Sequence, residues 1–138
     1  MTDYLMNHSS AASGTESVKD TATRAGEAFS TLVETMALLR APGGCPWDAE
    51  QTHASLIRYL VEESYEVVEA VETGSEPNMP LLREELGDVL LQVVFHADIA
   101  AANPHGFDIV QVVEGLVQKL RSRHPDVFAA ESENSSEA

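Results

Sequence analysis

The sequence has few of the features that mark secreted or membrane-embedded proteins. Its 138 residues include one cysteine, Cys45, so an internal disulfide framework is excluded and a reducing compartment is favoured. No apolar run approaches the ~18 residues of a membrane span. The N-terminus lacks the basic start and apolar core of a signal peptide. From these absences we predict a cytoplasmic location without a membrane partner.

Basic residues are also scarce. Eight Lys and Arg residues stand against 23 Asp and Glu residues, which gives a net charge of -15. Non-specific binding of nucleic acid needs a positive surface, so nucleic acid is not expected as a partner. A polyphosphate ligand would be repelled as well, unless a cation mediates its binding.

The remaining pattern is helical. Residues 1–25 are rich in Ser, Thr and Ala and lack an apolar period, so they are predicted to be a disordered tail, as is the acidic segment 130–138. Between them, residues 26–129 hold four segments with apolar residues at helical spacing: about 28–39, 55–71, 81–102, and a fourth from Asp108 to His124. Asp108 is the predicted N-cap, and Gln111 completes a capping box. The predicted fold is an all-α four-helix bundle.

The third of these helices is apolar around more than half of its circumference. Helices of that kind are covered by neighbours on several sides. A single four-helix chain of this length offers too few neighbours, so we predict a homo-oligomer, a dimer or larger.

Two carboxylates nevertheless interrupt this apolar helix. In the run "EELGDVLLQVVFH", Glu85, Asp88, Gln92 and His96 fall in one narrow polar stripe. Burying an ionised carboxylate without a partner costs several kcal/mol. Water, a cation or basic side chains must therefore compensate for these acids.

The second helix carries a matching pair, Glu63 and Glu66, also three residues apart and so on one helix face. A short connection makes the two helices antiparallel neighbours, and facing pairs would put four carboxylates in one space. Hard divalent cations bind such oxygen ligands, Mg²⁺ above all. The alternative is that the acids of the second helix form an ordinary solvated face.

Other candidate residues have two interpretations each. Lys119 and Arg123 are four apart; they could clamp a phosphate, or simply be cations favoured at a helix C-terminus. Trp47, the one tryptophan, could anchor its loop or stack on a nucleobase. Glu50 and His53 form a single E-x-x-H spacing, whereas a carboxylate-bridged di-iron bundle needs two.

Four stretches together resemble the MazG family of nucleoside triphosphate pyrophosphohydrolases. They are "LLRAPGGCPWDAEQT", "EESYE", "EELGDVLLQVVFHA" and "KLRSRHPDVF". They occur in the family's order and span Leu38 to Phe128. The E-E-x-x-E run in "EESYE" would be a weak signal alone, but the four stretches in order are highly specific.

The resemblance implies an all-α bundle that assembles as a dimer or tetramer. It also implies cleavage of NTPs or dNTPs to a monophosphate and pyrophosphate, with Mg²⁺ or Mn²⁺ as cofactor, in the house-cleaning of nucleotide pools. The implied site residues are Glu63, Glu66, Glu85 and Asp88 as metal ligands, Glu62 with Glu63 as catalytic groups that orient or deprotonate water, and Lys119, Arg123 and Trp47 as substrate contacts.

Two alternatives stay open at this point. One is a dedicated dUTP or dCTP pyrophosphatase, and the other is a non-catalytic helical dimerisation module. The sequence also departs from the family pattern as we expect it: His53 and His96 stand where aromatic residues are expected. It contains one such domain, whereas some family members have two in tandem.

Overall fold

A computed structural model describes the backbone of residues 3–129 and the side chains of residues 17–129. In this range the chain forms helices and no strand, so the predicted all-α class is confirmed. The helices are α1 (Asp3–Arg40), α2 (Pro46–Glu50), α3 (His53–Glu72), α4 (Met79–Ala101), α5 (Ile109–Arg123) and a final turn, α6 (125–129). None of these described helices is both long and apolar enough to cross a bilayer.

The first helix is much longer than the sequence pattern indicates. We predicted a start near residue 28 after a disordered tail over residues 1–25, but α1 begins at Asp3. The segment contains no proline and several alanines, and alanine is the strongest helix former. The predicted acidic tail at 130–138 lies outside the described residues.

The chain divides into two compact units between Ala49 and Glu50. In the first unit, a tight turn ends α1. Gly43 adopts a positive φ of 86°, which favours glycine, and a Cβ on Gly44 would collide with the Leu38 and Leu39 carbonyl groups. The Arg40 Nε then donates a hydrogen bond of 3.2 Å to the Asp48 carbonyl, which links the end of α1 to α2.

The second unit is built on the pair α3 and α4, which pack against each other. Thr52 caps α3 in a capping box with Ser55, and Asn78 caps α4 by accepting a hydrogen bond from the Leu81 amide. The Asn78 amide also donates a 2.9 Å hydrogen bond back to the Ala70 carbonyl. This bond folds the short connection onto the end of α3 and makes the two helices antiparallel.

Apolar side chains hold this helix pair together. Leu56 on α3 and Val94, Phe95 and Ala97 on α4 are buried. α5 packs on α4, and its predicted start is confirmed: the Asp108 carboxylate accepts from the Gln111 amide at 3.0 Å. The Gln111 side chain accepts from the Asp108 amide at the same distance.

The cap predicts a measurable contribution to stability. We expect Asp108→Ala to lower the free energy of unfolding by about 1 kcal/mol, because the Gln111 amide in the first turn of α5 loses its hydrogen-bond acceptor. Urea denaturation followed by circular dichroism measures this change. The control is Glu114→Ala, an exposed acid in the same helix; an equal loss in both variants would contradict a capping role.

Candidate metal centre

Four carboxylates converge between α3 and α4. Glu63 and Glu66 come from α3, and Glu85 and Asp88 from α4. One oxygen of each lies within 4.8 Å of one from every other member of the set. The structure therefore brings together the four residues that the sequence spacing selected.

The antiparallel register explains this convergence. Residues three apart on a helix share a face, so each helix presents its pair as a unit. The Asn78–Ala70 hydrogen bond at the connection sets the level at which the two pairs meet. Farther along, His53 of α3 meets His96 of α4, as the same register requires.

The pKa values of two of the acids are raised, by a hydrogen bond at Glu85 and by burial and nearby negative charges at both Glu85 and Glu63. Glu85 is only 8% exposed, and its pKa is raised from 4.5 to about 7. The largest cause is a hydrogen bond to Glu66 that needs the Glu85 proton; burial and the neighbouring negative charges add to it. The pKa of Glu63 is also raised, first by burial and then by the charges of Asp88 and Glu66.

This donor set fits a hard divalent cation. The Oε2 atoms of Glu63 and Glu85 are buried and accept no hydrogen bond, although buried carboxylate oxygens are normally paired. In the described part of the chain, Glu62 of α3 forms an ion pair with Arg58, at 3.8 Å. This pair does not involve any of the four clustered acids. Carboxylate oxygens with no local base are the ligands that Mg²⁺ and Mn²⁺ prefer.

The other predicted site residues lie outside this cluster of four. Glu62 is exposed and weakly paired with Arg58. Lys119 and Arg123 are exposed on α5, and Trp47, 49% exposed, is on α2 in the first unit. Their roles as catalytic or substrate-binding residues stay predictions.

Beyond the carboxylates, the polar stripe continues between α3 and α4 as a segment that we call the neutral seam, formed by Gln92 and His96 of α4. His53 of α3 meets His96 at the end of this seam. The two Nδ1 atoms of the histidines are 2.8 Å apart. Their ring planes are parallel within 3° and their centroids 5.1 Å apart. Since the nitrogens are much closer than the centroids, the rings meet edge to edge through a hydrogen bond and do not stack face to face.

Sequence reasoning assigned no role to the neutral seam, although its signal was present. Gln92 and His96 share the stripe of Glu85 and Asp88 on the helical wheel. In an antiparallel pair in which Glu66 meets Glu85, His96 must lie level with the start of α3, which is His53. The sequence pattern does not give the register of α3 against α4, because that register depends on how the connection between them folds.

Comparison with known proteins bears on the same region. Residues 51–128 match the profile of the MazG nucleotide pyrophosphohydrolase domain, which is more than half of the chain. The chain belongs to this family. The match covers α3, α4 and α5 and so includes all four carboxylates and the neutral seam.

Several curated relatives are similar to this protein over most of its length. The nucleoside triphosphate pyrophosphohydrolase/pyrophosphatase MazG of Thermotoga maritima is 53% identical over 104 residues, 75% of this chain and 39% of its own length. Nucleoside triphosphate pyrophosphohydrolases of Mycolicibacterium smegmatis (54% over 108 residues) and Escherichia coli K12 (46% over 108) cover 78% and 77% of this chain. The chain spans 32% and 40% of those two proteins.

The raised pKa of Glu85 predicts how stability depends on pH without metal. The folded state keeps a proton that the unfolded state releases near pH 4.5, so the free energy of unfolding should fall as pH rises from about 4.5 to about 7. Glu85→Gln should flatten this dependence, because glutamine does not titrate. Thermal melts in EDTA between pH 5 and 8 measure the effect.

The matched control is Glu84→Gln, which removes an exposed neighbouring carboxylate and should keep the wild-type dependence. If Glu85→Gln retained the full slope, the destabilising charge would have to lie elsewhere.

Proposed function

We propose that this protein hydrolyses nucleoside triphosphates, NTPs or dNTPs, to a nucleoside monophosphate and pyrophosphate, with Mg²⁺ or Mn²⁺ as cofactor. The observation that carries the proposal is the convergence of four carboxylates within 4.8 Å of one another. Family membership and the pyrophosphohydrolase names of the relatives support the same reaction.

A divalent cation bound by Glu63, Glu66, Glu85 and Asp88 would offset their charge, let a triphosphate approach, and lower the pKa of a bound water. The reaction itself is one substitution. A water oxygen forms a bond to the α-phosphorus, the bond from that phosphorus to the α,β-bridging oxygen breaks, and pyrophosphate leaves. One proton of the water is released, and a carboxylate must accept it.

The chain's other residues have proposed roles in this step. Glu62, next to the cluster and exposed, would orient or deprotonate the water, together with Glu63. Lys119 and Arg123 would stabilise the charge on the leaving pyrophosphate, and the exposed ring of Trp47 would stack on the nucleotide. House-cleaning of nucleotide pools in the cytoplasm completes the proposal.

We also propose that the protein is a homo-oligomer, a dimer or tetramer. On α4, Leu86 is 51% and Leu90 is 42% exposed, so the residues that the structure describes do not cover the full apolar circumference of this helix. Apolar side chains on α3 and α5, including Tyr65 and Leu116, are exposed too. Contiguous apolar surface of this kind marks protein–protein contacts.

Product analysis tests the reaction directly. With Mg²⁺ and a panel of NTPs and dNTPs, we expect pyrophosphate and the monophosphate to appear in equal amounts, because water attacks at the α-phosphorus. Coupled pyrophosphate detection and chromatography of the nucleotide products give the measurement. Release of orthophosphate would contradict the proposal, and turnover of dUTP or dCTP alone would identify a dedicated pyrophosphatase.

Metal binding should also appear as added stability. Mg²⁺ at a hundredfold excess over its Kd should raise the free energy of unfolding by about 2.7 kcal/mol, because it binds only the folded cluster. Asp88→Asn should lose most of this added stability, since an uncharged amide does not offset the positive charge of the ion as a carboxylate does. The control is Glu84→Gln, which removes one negative charge from an exposed neighbouring residue without touching the cluster. An undiminished Mg²⁺ response in Asp88→Asn would place the ion at another site.

A further inference from the structure

The neutral seam contains two buried polar atoms without a partner. Gln92 is only 6% exposed, and its Oε1 has no hydrogen bond. The Nε2 of His96 is likewise buried and unpaired. Buried side-chain polar atoms are paired in the large majority of cases, and leaving one unpaired costs about 1–3 kcal/mol. Two such atoms on one helix face indicate a ligand that supplies the missing hydrogen bonds.

Their position relates this missing ligand to the proposed metal centre. Gln92 and His96 follow Asp88 on the same face of α4 at one and two further helical turns, about 6 and about 12 Å along the axis. His53, at the far end, is exposed, so the seam opens to solvent there. An extended nucleotide with its α-phosphate at the carboxylates would reach along the seam with its nucleoside.

Charge decides which end of the nucleotide fits. The hydrogen bond between the two Nδ1 atoms needs one protonated and one unprotonated nitrogen, and burial lowers the pKa of His96, which favours its neutral form. Gln92 is uncharged as well. These groups would bind a pyrophosphate weakly, whereas they match the donors and acceptors of a base and a sugar.

We propose that Gln92 and His96 hydrogen-bond the nucleoside part of the substrate and are specificity-determining residues of this enzyme. The inference rests on the proposed function and adds the direction in which the substrate lies. His53 acts as a positioning residue: by sharing the Nδ1 proton, it determines whether the Nε2 of His96 donates or accepts a hydrogen bond.

The test separates nucleoside contacts from phosphate contacts. Gln92→Leu should lower kcat/KM for nucleoside triphosphates by about tenfold, the factor for one hydrogen bond of ordinary strength. Competitive inhibition by inorganic tripolyphosphate, which has no nucleoside, should change by less than twofold. Matched NTP and dNTP pairs and a base panel then show whether the sugar or the base is contacted. Gln118→Leu, an exposed glutamine on α5, is the matched control.

A melting curve distinguishes this role from a structural one. Gln92→Leu removes an unpaired buried group, so without ligand the variant should melt no lower than the wild type; a clear fall would make Gln92 a packing residue and overturn the proposal. His96→Phe should reproduce the selective loss for nucleotides.

The remaining outcomes are also decisive. Equal losses for nucleotides and tripolyphosphate would overturn the inference, because the residue would then act through the metal centre. Turnover at the wild-type rate in both variants would overturn this inference and leave the proposed function intact. A wild-type protein that releases no pyrophosphate from any nucleotide would reject both.

Discussion

Repulsion among four carboxylates between two helices is the interaction on which the rest of this structure depends. Like charges this close oppose the packing of α3 on α4. Burial does most to raise the pKa of Glu63, a hydrogen bond to Glu66 does most to raise that of Glu85, and the neighbouring negative charges add to both shifts. Burial of Leu56, Val94 and other apolar side chains of the two helices must outweigh this repulsion. Repulsion among the acids therefore offsets part of the free energy that packing α3 on α4 contributes.

The polar stripe between the two helices changes character along its length. At the connection end it is anionic, with the Glu and Asp side chains of the cluster. At the other end it is made of an amide and two imidazoles that share a proton. A nucleotide has the same division, a charged phosphate chain and an uncharged nucleoside, and this correspondence is the basis of the substrate orientation proposed above.

Much of this arrangement was predictable from the sequence because helical spacing is local. The 3.6-residue period gave α3, α4 and α5 nearly to their ends, and the spacing of Glu63 with Glu66 and of Glu85 with Asp88 selected the acids that converge. The length of α1 was not predictable from apolar spacing, because residues 1–25 show no apolar period in the sequence. The His53–His96 pair depends on the register of two helices, which a one-dimensional pattern does not contain.

The carboxylates are also close together in the chain. All four come from two consecutive helices joined by a short connection that Asn78 folds back onto Ala70. The centre thus belongs to a helical hairpin, and sequence added before α3 or after α5 need not alter it. Such a self-contained hairpin can be transplanted between polypeptides of different architecture, in keeping with relatives in which the matched stretch is a minor share of the whole.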